Sequence, residues 1–213
     1  MQSIQIAIVD PDELSRHGLQ NMILEDRRWR PMSLFGDVGT FETSLQTHTV
    51  NIVLLDDTLP RVSEPRSLVD RWQMASPGLI VVMLSQRLSS LYIQQLFTYG
   101  VMGFIHRRDC TKNTVLACLE TVSRLQHYIS PQASAELYRR DTQAATLGLR
   151  RTDIDVLHGL FEGLTTQEIA LRIGLDERSI YRSRYRLRTV LGARTSEQII
   201  ALAIKNGLLD LKP

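Results

Sequence analysis

Two hydrophobic patterns alternate through the first 125 residues of the chain. Segments with a helical period separate short, nearly continuous apolar runs at Ile4–Val9, Met32–Phe35, Ile52–Leu55, Leu79–Leu84 and Gly103–Ile105. Such runs are typical of strands buried on both faces of a parallel sheet, because a half-exposed strand would alternate apolar and polar residues. The pattern predicts a five-stranded, parallel, doubly wound α/β domain, with its functional site at the carboxyl ends of the strands.

The last third of the chain shows the helical period alone. Four amphipathic stretches follow one another, at Thr152–Phe161, Thr166–Ile173, Glu177–Leu191 and Ser196–Asn206. Glycines suited to helix C-caps come after them, at Gly163, Gly174, Gly192 and Gly207. Helix starts are predicted by capping-box spacing at Thr152 with Asp155 and at Thr165 with Glu168, and by Asp176 as an N-cap. We expect an α/β domain at 1–125, a linker at 126–147 and an all-α four-helix domain at 148–213.

Only the residues IGLD separate the second and third helical stretches, which is the spacing of a helix-turn-helix. The second helix of such a motif lies in the major groove of DNA, where side chains near its amino end meet base edges. Here one face of that helix carries cationic and aromatic side chains, at Arg178, Tyr181, Arg182, Tyr185 and Arg188. Ile180, Leu187 and Leu191 form the opposite, apolar stripe.

The distribution of charge points to the same helix. The chain has a formal net charge of +2, and the residues from 147 onward carry eleven Lys and Arg against eight Asp and Glu. Five arginines lie between positions 178 and 188 with no acidic residue among them. Repulsion between like charges is unfavourable unless an anion offsets it, so the pattern favours double-stranded DNA as the partner over a solvated basic helix face.

The composition disfavours several other classes of protein. No window approaches the roughly 18 to 20 apolar residues of a membrane span, and the first residues lack a signal-peptide pattern, so we expect a cytoplasmic protein without a membrane partner. Cys110 and Cys118 lack the spacing of a redox motif or a metal cage. No nucleophile–base pair or phosphate-binding glycine loop appears, so the sequence predicts neither an enzyme nor a cofactor.

Polar residues end the predicted strands, with Asp10, Asp56, Ser85 and Arg107 after the first, third, fourth and fifth. The stretches IVDPDELSRHGL, IVLLDDTLP and GVMGFIHRRD resemble the receiver domain of bacterial response regulators, which has a flavodoxin-like fold. The resemblance implies that Asp56 is the phosphoacceptor, that Ser85 senses the phosphoryl group and that Arg107 stands where the family normally has lysine. A histidine kinase would then be the partner that phosphorylates the chain.

The pocket departs from the receiver pattern. The family holds a divalent cation with two adjacent acids after the first strand and the phosphoacceptor, but Pro11 replaces the second acid and offers no oxygen ligand. Asp12 is better interpreted as the N-cap of the next helix than as a substitute ligand. Arg107 keeps the positive charge without the compact ammonium of lysine. We therefore expect no bound magnesium and lost or weakened phosphorylation, with a conventional switch at Asp56 as the alternative.

Residues 149–209 resemble, over their whole length, the LuxR-type DNA-binding domain of the NarL/FixJ response regulators, most clearly in EGLTTQEIA and RTSEQIIALA. The resemblance implies major-groove positions for Tyr181, Arg182 and Tyr185, phosphate contacts for Thr165 and Arg178, and dimer contacts for the last helix. Arg150 stands where the family usually has a capping threonine, so Thr152 is expected to cap the first helix instead.

These observations predict a sequence-specific transcription regulator that binds DNA as a dimer and is largely independent of phosphorylation. One alternative is a two-component response regulator switched by phosphorylation of Asp56. The other is an auxiliary regulator that acts mainly as a heterodimer with a second regulator.

Overall fold

The computed structural model describes residues 4–209 and divides into two compact units, 1–136 and 137–213. The strands are β1 (Ile4–Val9), β2 (Trp29–Phe35), β3 (Ile52–Asp56), β4 (Ile80–Ser85), β5 (Gly103–His106) and β6 (Tyr128–Ile129). The helices of the first unit are α1 (Glu13–Leu24), α2 (Val38–Leu45), α3 (Pro65–Ala75), α4 (Ser90–Thr98) and α5 (Lys112–Ser123). The remaining helices are α6 (Pro131–Thr146), α7 (Arg151–Phe161), α8 (Thr166–Ile173), α9 (Glu177–Leu191) and α10 (Ser196–Lys205).

The first unit is built on a fully parallel sheet in the order β2-β1-β3-β4-β5-β6. Successive residues of its strands, such as Ile6 and Ala7, are equally buried although they point to opposite faces. Helices α1 and α5 cover one face with residues that include Leu19 and Leu119. The predicted doubly wound α/β fold is thus confirmed, because burial on both faces is what the continuous apolar runs indicated.

The sheet has six strands rather than the predicted five. The additional strand β6 lies within the segment expected to be a linker, and its Tyr128 N–H donates to the carbonyl of Met102 over 3.0 Å. A two-residue strand leaves no periodic pattern to detect, which is why the sequence did not predict it. Helix α6 also lies largely in that segment, and the division between the two units falls within it, between Glu136 and Leu137.

In the second unit, helices α7 to α10 enclose one apolar core that includes Val156, Ile169, Ile180, Leu187 and Ile199. The four glycines predicted to follow the helices all adopt positive φ, between 66° and 80°, where glycine avoids the steric cost of a side chain. Among the described residues, no helix is both long enough and apolar enough to cross a membrane.

The start of α7 differs from the prediction. The helix begins at Arg151, so Thr152 lies inside the first turn and is not its cap. Asp153 instead reaches back, and its carboxylate accepts the backbone N–H of Arg150 over 2.8 Å. Asp153 thus supplies one half of a capping box, and the arginine before the helix cannot supply the other half because its side chain has no acceptor.

Candidate nucleic-acid interface and receiver pocket

Helix α9 presents one cationic and aromatic face to solvent. Asp176 caps its amino end by accepting the Ser179 N–H over 2.7 Å. Hydrogen bonds from the side chain and the backbone of Ser179 hold the pKa of the Asp176 carboxyl below its usual value. Tyr181 is 58% exposed and Tyr185 is 73% exposed. The arginines exposed with them are Arg178, Arg182 and Arg188. The face predicted from the helical period is therefore the outward one, which we call the α9 reading face.

Two arginines of the same helix are directed elsewhere. Arg184 is half-buried and donates to the Thr166 hydroxyl and the Ser196 hydroxyl, each over 2.8 Å. Arg186 lies 3.7 Å from the buried carboxylate of Asp153. These arginines bind α9 to its neighbouring helices, so three of the five arginines lie on the reading face.

Thr165 lies at the amino end of α8. As predicted, it forms a capping box with Glu168, whose carboxylate accepts both the backbone N–H and the hydroxyl of Thr165 over 2.7 Å. These hydrogen bonds lower the pKa of the Glu168 carboxyl.

At the carboxyl ends of the strands, Arg107 joins two buried carboxylates. Its guanidinium donates from Nη2 to both Asp10 and Asp56, and from Nε to Asp56 Oδ2 over 3.0 Å. Its Nη1 donates to the Ser15 hydroxyl over 2.9 Å, and that hydroxyl donates to Asp10 over 2.7 Å. We call these four side chains, Asp10, Ser15, Asp56 and Arg107, the arginine bridge. Burial disfavours the charged guanidinium, but its bonds to the carboxylates outweigh this cost and raise the pKa of Arg107.

Asp12 caps α1, as predicted, because its carboxylate accepts the Ser15 N–H over 2.6 Å. It is exposed, and its own N–H donates to Asp10 Oδ1 over 2.8 Å. The structure thus brings together Asp10, Asp56 and Arg107, with Asp12 at the edge of the group.

Ser85 forms its side-chain hydrogen bond with Asp57, the residue after Asp56, rather than with Asp56 itself. The Ser85 hydroxyl donates to Asp57 Oδ2 over 2.5 Å, and the Tyr92 hydroxyl donates to the same oxygen over 3.1 Å. Burial raises the pKa of the Asp57 carboxyl, with smaller opposing contributions from both hydroxyls and from Arg87. The sequence analysis did not identify Asp57, and its one signal was a second acid directly after the end of the third predicted strand.

The described residues do not suit a divalent cation at the strand ends. Such an ion needs several oxygen ligands, but the guanidinium of Arg107 lies against both Asp10 and Asp56, and Pro11 supplies no side-chain oxygen. Within residues 4–209, no group of three or more His, Cys, Asp and Glu side chains has the arrangement of a metal site. A metal ion would have to displace the arginine to bind here.

Comparison with curated proteins places the chain beside transcriptional response regulators along nearly its whole length. It is 23% identical to the transcriptional regulatory protein UhpA of Escherichia coli K12, over 92% of this chain and 95% of UhpA. It is 23% identical to the transcriptional regulatory protein MctR of Rhizobium johnstonii, over 97% of this chain and 96% of MctR. The response regulator UvrY of E. coli K12 is 21% identical over similar shares. No protein-family model matches the chain.

Solved structures show the same fold. The response regulator RcsB of Salmonella typhimurium matches with a TM-score of 0.63 and 14% identity, over 94% of this chain and 98% of RcsB. RcsB in a complex with DNA matches with a TM-score of 0.59 and 14% identity. The resemblance to NarL/FixJ response regulators that the motifs indicated is confirmed, and the chain's relatives are transcriptional regulators rather than enzymes.

The stability of Asp57→Asn relative to wild type should increase as pH rises. Because the folded pKa of Asp57 lies above its ordinary value of 3.8, the folded state binds a proton more tightly than the unfolded state. Wild-type stability relative to Asp57→Asn is therefore highest below about pH 3.8 and falls as pH rises through the folded pKa. Urea midpoints measured from pH 4 to 8 should show the difference between variant and wild type shifting in favour of the variant, and a difference independent of pH would contradict the raised pKa.

Magnesium should leave the unfolding temperature of the wild-type chain unchanged. Arg107→Ala should be less stable than wild type without metal, because two buried carboxylates lose their counter-charge, and it should regain stability in millimolar MgCl2. Thermal unfolding by circular dichroism measures both effects, with Arg108→Ala as the control because Arg108 is exposed beside the site. Equal stabilisation of wild type and Arg107→Ala by magnesium would show that the arginine does not take the place of the ion.

Proposed function

We propose that this chain is a sequence-specific, DNA-binding transcription regulator of the response-regulator type. The observation that carries the proposal is the α9 reading face, where three exposed arginines and two exposed tyrosines share one side of the second helix of a helix-turn-helix. The names of the relatives support the same activity, as does the solved complex of RcsB with DNA. Such a protein works where the chromosome is, in the cytoplasm and on the nucleoid.

Each side chain of the reading face has a role suited to its chemistry. Tyr181 and Arg182 lie in the first half of α9, the part that meets base edges in this motif, and Tyr185 lies one turn further on the same face. Arginine can bond guanine edges in bidentate fashion. Arg178 and Arg188 flank them and contact phosphates, as does Thr165 at the amino end of α8. Phosphate contacts supply affinity and register, whereas the central three side chains supply sequence preference.

We further propose that the chain binds DNA as a dimer through two half-sites about one helical turn apart, with α10 in the dimer contact. RcsB dimers have been solved on DNA, which supports this arrangement. The proposed dimer is a homodimer. A heterodimer with a second regulator is the alternative, and the binding experiment below distinguishes the two.

The arginine bridge supports an output that is largely independent of phosphorylation. Arg107 already forms ion pairs with both Asp10 and Asp56, and it lies where a cation assisting phosphoryl transfer would have to bind. The Asp56 carboxylate also accepts the Thr58 N–H over 2.8 Å, together with the Thr58 hydroxyl. A phosphoryl donor therefore meets a carboxylate whose two oxygens already accept hydrogen bonds, beside a guanidinium that occupies the position of the cation.

Arg182→Ala and Tyr185→Ala should each weaken binding to a duplex that the wild-type chain selects from a random pool. Loss of one base contact costs roughly 1–3 kcal/mol, so we expect roughly ten- to hundredfold weaker affinity and relaxed sequence preference. Electrophoretic mobility shifts measure the affinity, and circular dichroism checks that each variant is folded.

Arg151→Ala is the matched control, since it removes an exposed arginine from α7 of the same unit. The proposal fails if Arg182→Ala and Arg151→Ala bind alike. If the purified wild-type chain binds no duplex without a second regulator, the heterodimer alternative is correct instead.

Asp56→Ala should leave DNA affinity and genomic occupancy within about twofold of wild type. Beryllofluoride with magnesium, which mimics a phosphoryl group on aspartate, should likewise leave the DNA affinity of the wild-type chain unchanged. A marked loss of occupancy in Asp56→Ala, or a marked gain of affinity with beryllofluoride, would instead establish the phosphorylation-switched alternative.

A further inference from the structure

Asp57 connects three elements of the first unit through a single carboxylate oxygen. It directly follows β3, and its side chain is 3% exposed. Its Oδ2 accepts the hydroxyl of Ser85 at the end of β4 over 2.5 Å and the hydroxyl of Tyr92 in the first turn of α4 over 3.1 Å. One buried anion thereby joins the ends of two strands to the start of a helix.

Arg87 completes this group from the β4–α4 connection. Its Nε lies 3.6 Å from Asp57 Oδ2, and its guanidinium carbon lies 5.1 Å from the centre of the Tyr92 ring, within the range of a cation–π contact. Its backbone N–H donates to the Ser85 hydroxyl over 2.8 Å. We call Asp57, Ser85, Arg87 and Tyr92 the Asp57 clamp. The Ser85 hydroxyl therefore donates to Asp57 and accepts from the Arg87 backbone. These two bonds orient the backbone of the β4–α4 connection.

The Asp57 clamp and the arginine bridge contain adjacent acids that are bonded to different elements of the fold. Asp56 is bonded by Arg107, which follows β5, and by Thr58. Asp57 is bonded by residues of β4, α4 and the connection between them. Adjacent residues at a strand end point to opposite sides, so the two carboxylates serve separate sets of partners.

We propose that Asp57 is the positioning residue for α4: its unmodified carboxylate holds the β4–α4 connection and the first turn of α4 in one arrangement, whatever the state of Asp56. A buried carboxylate that lacks its donors is costly, and a buried hydroxyl that lacks its acceptor is costly too, so the arrangement is stable only as a whole. This role of Asp57 rests on the proposed function in one respect, that Asp56 is not the switch.

Hydrogen exchange of the full-length chain tests the clamp. Asp57→Ala and Tyr92→Phe should each raise the exchange rates of backbone amides in residues 86–98 by about tenfold, because the first turn of α4 loses its tether. Asp56→Ala should leave those rates unchanged. Tyr99→Phe is the matched control, since it removes a tyrosine hydroxyl just beyond the other end of the same helix.

A double-mutant comparison separates the clamp from general destabilisation. In the Asp57→Ala background, Tyr92→Phe should add little further exchange, because the bond it removes is already lost. If Asp57→Ala does not fold, Ser85→Ala combined with Tyr92→Phe removes both hydroxyls from Asp57 instead, and it should raise the same exchange rates above those of either single variant. The proposal is overturned if the effects of Asp57→Ala and Tyr92→Phe on exchange are additive, or if the single variants exchange at wild-type rates. It is also overturned if Asp56→Ala raises the exchange rates of residues 86–98 as much as Asp57→Ala does.

Failure of the proposed function would be seen separately. The mobility shifts would show that the wild-type chain does not bind DNA, or that it binds DNA only in the presence of beryllofluoride. The exchange rates around α4 decide the role of Asp57 in either case.

Discussion

Burial of both faces of the parallel sheet is the constraint on which the receiver unit depends. Residues such as Ile6, Ala7, Val53 and Leu54 have no exposed surface on either face, so a charged side chain has no place in the middle of the central strands β1 and β3. The buried acids lie instead where these strands end. The topology therefore concentrates Asp10, Asp56, Asp57, Ser85 and Arg107 at one edge, although they are separated by up to 97 residues.

This concentration creates an electrostatic problem, which the chain solves in two ways. Three buried carboxylates at one edge repel one another and have lost most of their hydration. For Asp10 and Asp56, the planar fork of Arg107 supplies a permanent counter-charge that is part of the chain itself. For Asp57, two hydroxyls donate hydrogen bonds, and the more distant guanidinium of Arg87 supplies the positive charge. A pocket satisfied by its own side chains has little need of an exchangeable ion, which is the physical basis for the proposed independence from phosphorylation.

The second unit shows how packing divides one set of like charges into two roles. Five arginines within one helix would repel one another if all faced solvent. The neighbouring helices draw two of them inward, Arg184 to Thr166 and Ser196, and Arg186 to Asp153. Asp153 also accepts the N–H of Arg150 at the start of α7, so one buried acid both caps that helix and holds α9. The arginines that remain outward are those suited to an anionic partner.

The sequence by itself determined the elements and their faces, because buried strands and amphipathic helices are set by apolar side chains close together along the chain. The boundaries of α8 and α9 were predicted to the residue, as were the caps at Asp12, Thr165 and Asp176. Only the tertiary structure decided that β6 joins the sheet, that Asp153 rather than Thr152 serves the start of α7, and that Asp57 rather than Asp56 receives Ser85. The last distinction could not be read from two adjacent aspartates, because a side chain's partner depends on which distant groups the fold brings within hydrogen-bonding distance.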